Sequence, residues 1–358
     1  MNVLILGVNG FIGSHLTRTI LRQTSWTIHG VDREDHRVAP WLGHHRFRFH
    51  QADVADSDGW INRQVRAADV CLPLAATATP ASYIRDPLAT FELDFEHNLR
   101  VVRFCADSAT RVIFPSSSEV YGRCPDAEFD EQTSPLVYGP VGKSRWIYAC
   151  AKQLLDRVII AMGAQRGLRY TLFRPFNWIG PGQDSIISAA EGSSRVLPQI
   201  LGHLLRREPI TLVDGGRQRR CFTYIDDGID ALLRILASTD PQVDGQIFNL
   251  GHPTNEWSIK ELVNATIQIL STFPGFEDVA GKAEIIEQRG DQYYGPGYQD
   301  VPRRVPAIER AQRLLGWNPQ VSMEEALHRT IAYYLTEGTH NRSFRYAPPP
   351  RHHPPSDP

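Results

Sequence analysis

The chain has 358 residues, 42% of them hydrophobic and 22% charged, with a formal net charge of −2. Such a length and composition fit a globular chain of one large domain or two, and the near-zero charge excludes a global field for nucleic acid or anionic membrane. Cys71, Cys105, Cys124, Cys150 and Cys221 lack CxxC spacing, which argues for reduced thiols and against a metal site.

No apolar run nears the ~18 residues of a membrane span. The first residues lead into a strand without a secretion signal, so no membrane association and a cytoplasmic location are expected. Asn2–Leu6 is a short apolar run, as in a strand covered on both faces of a parallel sheet. A loop, Gly7-Val-Asn9-Gly10-Phe11-Ile12-Gly13, leads into a helix whose Ile12, Leu16 and Ile20 recur every four residues. Trp26–Val31 reads as a second strand ending at Asp32, and 46–50, 69–74, 111–115 and 170–173 read as further strands. The helix over 87–107 carries Phe91, Phe95, Leu99 and Val102 along one face. Strands alternating with helices predict an α/β fold, a doubly wound parallel Rossmann sheet.

After Pro175 the pattern breaks into loops, short helices and Gly/Pro-rich turns, with a helix over 226–236 and a returning strand over 246–250. The expected division is 1–175 plus 221–250 for the Rossmann domain and 176–220 plus 251–337 for a smaller C-terminal substrate lobe. The tail 341–358, rich in Pro and His, cannot build a core and is expected to be disordered.

Gly7, Gly10 and Gly13 sit between strand and helix, where backbone can approach a pyrophosphate at a helix N-terminus. Asp32 ends the next strand, where a carboxylate can bind ribose hydroxyls and repel a 2′-phosphate. The expected cofactor is therefore NAD, held by Gly7, Asn9, Gly10, Phe11, Ile12, Gly13 and Asp32, with Asp53 near the adenine edge. Arg33 leaves NADP open.

Tyr148 and Lys152 stand four apart in the helical segment 146–162 and so project from one face. A phenol is a weak base at neutral pH, and a neighbouring ammonium, together with the nicotinamide cation, would favour the phenolate. Ser117, in Ser116-Ser-Ser-Glu-Val-Tyr-Gly122 at a strand's carboxyl end, can meet Tyr148 over a substrate hydroxyl.

With Arg174-Pro-Phe-Asn177 and Arg220-Cys-Phe-Thr-Tyr-Ile-Asp-Asp227, these motifs resemble the extended short-chain dehydrogenase/reductase family over nearly the whole chain. The resemblance implies a sugar-nucleotide enzyme that begins with hydride transfer to NAD+. Within the family, epimerases usually carry small or hydroxyl residues after the serine and 4,6-dehydratases Asp-Glu; here stand Ser118 and Glu119. Segments such as 78–83, 91–95, 143–148, 173–178 and 293–300 look like the UDP-glucuronate decarboxylase branch of the polymyxin-resistance type.

That likeness implies C4 oxidation of UDP-glucuronic acid followed by loss of CO2, giving a UDP-4-keto-pentose or onward UDP-xylose. It implies catalytic roles for Ser117, Ser118, Glu119, Tyr148, Lys152 and Arg304, the last over the sugar carboxylate. It implies UDP-sugar contacts from Ala78, Tyr83, Arg145, Asn177, Arg195, Arg217 and Tyr298. Asp226 replaces a basic residue of that branch, and Met1 at the first strand implies no formyltransferase half. A homodimer or higher homo-oligomer through helices 87–107 and 146–163 is implied too. A UDP-sugar 4-epimerase, a 4,6-dehydratase, a UDP-apiose/UDP-xylose synthase and a non-catalytic NAD-binding protein stay as alternatives. Arg195, Arg217, Arg219 and Arg220 read as diphosphate-binding, not as a nucleic-acid patch.

Overall fold

The structure, a computed structural model, describes residues 1–77, 79–186 and 194–340, and side chains as far as 336. Ala78 and the tail 341–358 therefore lie outside the described residues. In the first strand, β1 (Asn2–Leu6), Val3 and Ile5 enter one core while Leu4 and Leu6 enter another, so both faces are covered. That alternation explains a continuous apolar run where a one-sided strand would show polar gaps.

The central strands β2 (Thr27–Asp32), β3 (Phe47–Gln51), β4 (Val70–Pro73), β5 (Arg111–Pro115) and β6 (Tyr170–Pro175) join β1 in this sheet. Beyond them come β7 (Trp178–Ile179), β8 (Ile210–Val213), β9 (Arg219–Cys221), β10 (Thr223–Tyr224) and β11 (Gln246–Leu250). The last strands are β12 (Glu256–Ser258), β13 (Ile285–Gln288) and β14 (Arg303–Arg304). The seven-stranded sheet runs β11-β6-β5-β4-β1-β2-β3, and every pairing within it is parallel. Strand order reverses beside β1, which opens a crevice at the strands' carboxyl ends.

Helices α1 (Phe11–Gln23), α2 (Asp58–Ala67), α3 (Pro80–Arg85), α4 (Pro87–Phe91), α5 (Asn98–Ser108) and α6 (Ile147–Arg166) belong to the first half. The predicted helix over 87–107 is not one regular α-helix: Glu92–His97 forms a π-helical turn between α4 and α5. That turn rotates the face, so Asp94, His97 and Asn98 are buried while Phe91, Phe95 and Leu99 are half-exposed.

The second half is more regular than its sequence pattern suggests. It contains α7 (Val196–Arg206), α8 (Ile225–Ala237), α9 (Ile259–Leu270), α10 (Val279–Lys282), α11 (Gly290–Tyr293), α12 (Glu309–Leu315) and α13 (Met323–His340). Helix α9 starts at a capping box, with Ser258 and Glu261 satisfying each other's backbone N–H. Short pieces β9, β12 and β14 form one small sheet, and β8 with β13 another, beside the crevice. No described helix is long and apolar enough to cross a membrane.

Candidate functional site

The turn from β1 to α1 is shaped by what cannot fit. Gly7 has φ +85°, and a Cβ there would sit 2.7 Å from the Ala75 backbone nitrogen; one on Gly13 would meet the Gly7 carbonyl oxygen. Helix α1 starts at Gly10 with no side-chain cap and no acidic residue in its first turn. Its N–H groups and dipole therefore favour an anion. Gly7, Gly10, Phe11, Ile12 and Gly13 all line the main cleft. This cradle fits the pyrophosphate of a dinucleotide.

Asp32 ends β2 against the turn, where its Oδ2 accepts the Asn9 N–H at 2.9 Å. The Asn9 side chain does not line the cleft; its Oδ1 accepts the N–H groups of Arg37 (2.7 Å) and Val38 (3.3 Å). Asn9 thus shapes the turn. Asp53 also stands off the cleft, accepting the Ala55 N–H at 2.9 Å and facing Arg33 at 3.8 Å.

Across the cleft, the end of β5 delivers Ser117, Ser118 and Glu119, and the first turns of α6 deliver Tyr148 and Lys152; all five line it. Tyr148 stacks on Tyr83 of α3, with centroids 4.6 Å apart. Burial first, then the charge of Asp94, push the Tyr148 phenol well above its ordinary range, against a hydrogen bond with Ser117. The Asp94 carboxylate lies 3.2 Å from Lys152 Nζ.

Glu119 is gripped from both sides. Its Oε2 accepts from Arg145 Nη2 at 2.6 Å, and its Oε1 from Arg304 Nη1 at 2.5 Å. Burial alone would raise the Glu119 carboxyl, but the two guanidinium groups outweigh it and hold it at about 2. Such an anion has no proton to give at neutral pH and stands in the cleft as a fixed negative charge between two guanidinium groups. Arg304 is 2% exposed and reaches the cleft from β14. Burial, opposed by Glu119 and reinforced by Arg220 and Arg145, lowers its guanidinium from the ordinary value. Its buried Nε–H has no partner among the described residues.

Of the remaining predicted contacts, Tyr83, Arg145, Asn177, Arg195 and Tyr298 all line the cleft. Arg195 bonds to Asp184 at 2.8 Å and stands over the Phe11 ring, 5.2 Å from its centroid. Asn177 adopts a left-handed backbone, φ +40°. Arg217 is exposed and does not line the cleft, because Asp214, Gly215 and Gly216 all take positive φ and turn the chain there. Arg219 is bound outside by Glu256 and Glu261, each at 3.0 Å. Of that basic group, Arg195 and Arg220 line the cleft; Arg220 is anchored to Asp300 at 2.6 Å. Asp226 pairs with Arg18 at 3.3 Å.

Four residues carried no role in the sequence: Asp94, which abuts Lys152, and Arg37, Tyr293 and Tyr294, which line the cleft. The segment 296–299 is tied to the residues before α6: Trp146 Nε1 donates to Gln299 Oε1 at 2.9 Å, and Lys143 Nζ to the Pro296 carbonyl at 2.6 Å. Among the described residues, no group of three or more His, Cys, Asp or Glu could hold a metal ion.

The protein is similar to the PbgP3 protein of Burkholderia pseudomallei, with 47% identity, a TM-score of 0.84 and coverage of 93% of this chain and 96% of that one. Its fold is shared by a DesIV dTDP-glucose 4,6-dehydratase from Streptomyces venezuelae with NAD bound, at 24% identity, TM-score 0.80, and 96% and 100% coverage. A UDP-glucuronic acid 4-epimerase mutant from Bacillus cereus, in complex with a fluorinated UDP-glucuronic acid and NAD, shares it at 22% identity, TM-score 0.78, and 94% and 100% coverage. The model of the NAD dependent epimerase/dehydratase family matches residues 3–251. The chain belongs to that family, and NAD is its cofactor.

Proposed function

We propose that this enzyme oxidises C4 of UDP-glucuronic acid and so drives loss of its carboxyl group as CO2, releasing a UDP-4-keto-pentose. The observation that carries this reading is Arg304: a guanidinium 2% exposed, inside the same cleft as Ser117 and Tyr148, with a buried Nε–H free to meet an anion. Planar, bidentate geometry suits a uronate carboxylate. A sugar without an acid group would leave that donor unpaired, at a cost of about 1–3 kcal/mol.

NAD+, when bound, supplies the acceptor for the C4 hydride. Tyr148 takes the C4 hydroxyl proton as the C4 carbonyl forms, with Ser117 donating to the same oxygen. The C5–carboxylate electron pair then moves toward the C4 ketone, forming an enolate as CO2 leaves. Ser118, buried and lining the cleft, passes a proton to C5. Glu119 acts as the anion that orients Arg145 and Arg304.

Arg145, Arg195, Arg220 and Asn177 surround the space for the UDP moiety, with Tyr83 and Tyr298 at its walls. Exposed Leu88, Leu154 and Ile160 on α4 and α6 support a homodimer through these helices. Five free cysteines fit a reducing, cytoplasmic setting. The test is incubation with carboxyl-labelled UDP-glucuronate and NAD+. Labelled CO2 from the wild type, and at least a hundredfold less from R304A, is the expected result. Conversion to the 4-epimer without gas would instead make the enzyme an epimerase of the same substrate.

A further inference from the structure

One ion pair behind the cleft holds both ends of the run Ser117-Ser118-Glu119. Asp156 and Arg174 meet at 3.1 Å, each with a side chain 5% exposed, and neither lines the cleft. Asp156 Oδ2 accepts the hydroxyl of Ser116, the residue before Ser117, at 2.7 Å. Arg174 Nη1 donates at 2.9 Å to the hydroxyl of Tyr121, two residues after Glu119, and its guanidinium stands 4.8 Å from the centroid of that ring. The Tyr121 hydroxyl donates onward to Asn249 Oδ1 on β11 at 2.8 Å.

Between those two ends the chain makes a single 3-10 turn, Ser118–Tyr121. Ser117 caps it, its Oγ accepting the Glu119 N–H at 3.1 Å. The Ser117 hydroxyl therefore goes where the turn goes. Asp156 follows Lys152 on α6 at the spacing that separates Lys152 from Tyr148, so the three share one side of the helix. The bond from Ser116 to Asp156 thus ties the strand end that carries Ser117 to the helix that carries Tyr148.

Stability is a poor reason for this pair. Two buried charges lose their hydration, and apolar side chains of similar volume often replace such a pair at no loss of stability. The pair is also incompletely satisfied: Asp156 Oδ1 and Arg174 Nε are buried without a hydrogen-bond partner among the described residues. What it supplies is direction, since its remaining bonds run to the two residues that flank the turn.

We infer that Asp156 and Arg174 form a positioning clamp that sets the Ser117 hydroxyl against Tyr148, although neither of the two touches substrate or cofactor. The inference rests on the reading of Ser117 and Tyr148 as the groups that meet the C4 oxygen. Asp156 fixes the front of the turn and Arg174 its rear. Release of either end lets Ser117 drift from the phenol, and a drift near 1 Å costs about a hundredfold in rate.

The first test cuts the clamp at Ser116, because S116A removes one hydroxyl and leaves the ion pair in place. The single-turnover rate of NADH formation at saturating UDP-glucuronate and NAD+ is expected to fall at least tenfold, with the half-saturating NAD+ concentration unchanged. On an S117A background the same change is expected to alter the rate by less than about twofold, because the group it positions is gone. A merely structural lesion would slow both backgrounds alike. A wild-type rate in S116A, or equal losses in the two backgrounds, overturns the clamp. Y121F repeats the test from the other end, where it removes the hydroxyl that Arg174 holds and keeps the ring.

The second test needs no substrate. Amide exchange read by mass spectrometry is expected to be at least tenfold faster over 116–122 in S116A/Y121F than in the wild type, with β1 unchanged. Equal protection of 116–122 overturns the clamp. A wild type idle on UDP-glucuronate sinks the substrate assignment and leaves the exchange experiment to judge the clamp. Turnover without CO2 sinks only the decarboxylation, and the rates of S116A then decide as before.

Discussion

Tyr83 lies flat on Tyr148, with their ring planes within 2° of parallel and their centroids 4.6 Å apart. Tyr83 is 3% exposed and Tyr148 8%, so the stack fixes the plane of the Tyr148 ring from α3, an element otherwise outside the sheet. The contact is made by ring faces, so the Tyr83 hydroxyl is not part of it. Y83F is expected to keep kcat within about threefold, whereas Y83A loses about a hundredfold, the scale of a misplacement near 1 Å. Steady-state NADH formation checks both. A Y83F variant as impaired as Y83A would mean that the hydroxyl, not the stack, is what matters.

The glycine turn yields a binding prediction. A methyl group on Gly13 meets the Gly7 carbonyl oxygen and the backbone of Val8, neither of which is a flexible side-chain end. Overpacking of this kind costs about 1–3 kcal/mol, and here it acts on the turn that would hold the pyrophosphate. G13A is expected to bind NAD+ at least tenfold more weakly by titration calorimetry. Unchanged affinity would remove the turn from the cofactor site.

Cofactor choice turns on Asp32. Its carboxylate accepts the Asn9 N–H, and an amide oxygen can replace it there without the charge. Arg33 stands beside it with a side chain 76% exposed, only loosely engaged by Asp53 at 3.8 Å. Arg37 lines the cleft nearby. In D32N the repulsion toward a 2′-phosphate disappears while the cations remain. The ratio of kcat/KM for NADP+ over NAD+ is expected to rise at least tenfold. A constant ratio would locate cofactor discrimination elsewhere.

These predictions draw on two kinds of information. The glycine turn and the Tyr148–Lys152 spacing were legible because backbone sterics and helix geometry write them into adjacent residues. The partnership of Arg304 with Glu119 spans 185 positions and depends on β14 pairing with β9 in one register, which no local pattern encodes. Phe91, Phe95 and Leu99 suggested one regular helix, since periodicity cannot register one residue inserted by a π turn. It was that insertion which brought Asp94 to Lys152. In the second half, Gly/Pro-rich turns diluted the pattern, although Met323, Leu327, Ile331 and Tyr334 of α13 form a buried stripe at helical spacing. Arg217 was placed in the site by the resemblance alone, while positive φ at three successive residues turned it outward.

The Arg145–Glu119–Arg304 cluster gives the protein a signature in acid. Glu119 is held at about 2 in the folded chain, below the carboxylate's ordinary 4.5, because two guanidinium groups outweigh its burial. A depressed folded value means that the contribution to stability is complete above pH 4.5, the unfolded value, and is lost as pH falls toward about 2. Between these limits protonation would leave Arg145, 2% exposed, and Arg304, also 2% exposed, facing each other without an anion. E119Q has no proton to gain, so its stability should change less steeply in that window, although it is the less stable protein at pH 7. Thermal melts from pH 7 to pH 2.5 are expected to show a gap of several degrees at neutral pH that narrows steadily below pH 4.5. A gap that stays constant would mean that folding does not lower the Glu119 carboxyl, and the orientation of Arg304 would then need another anchor.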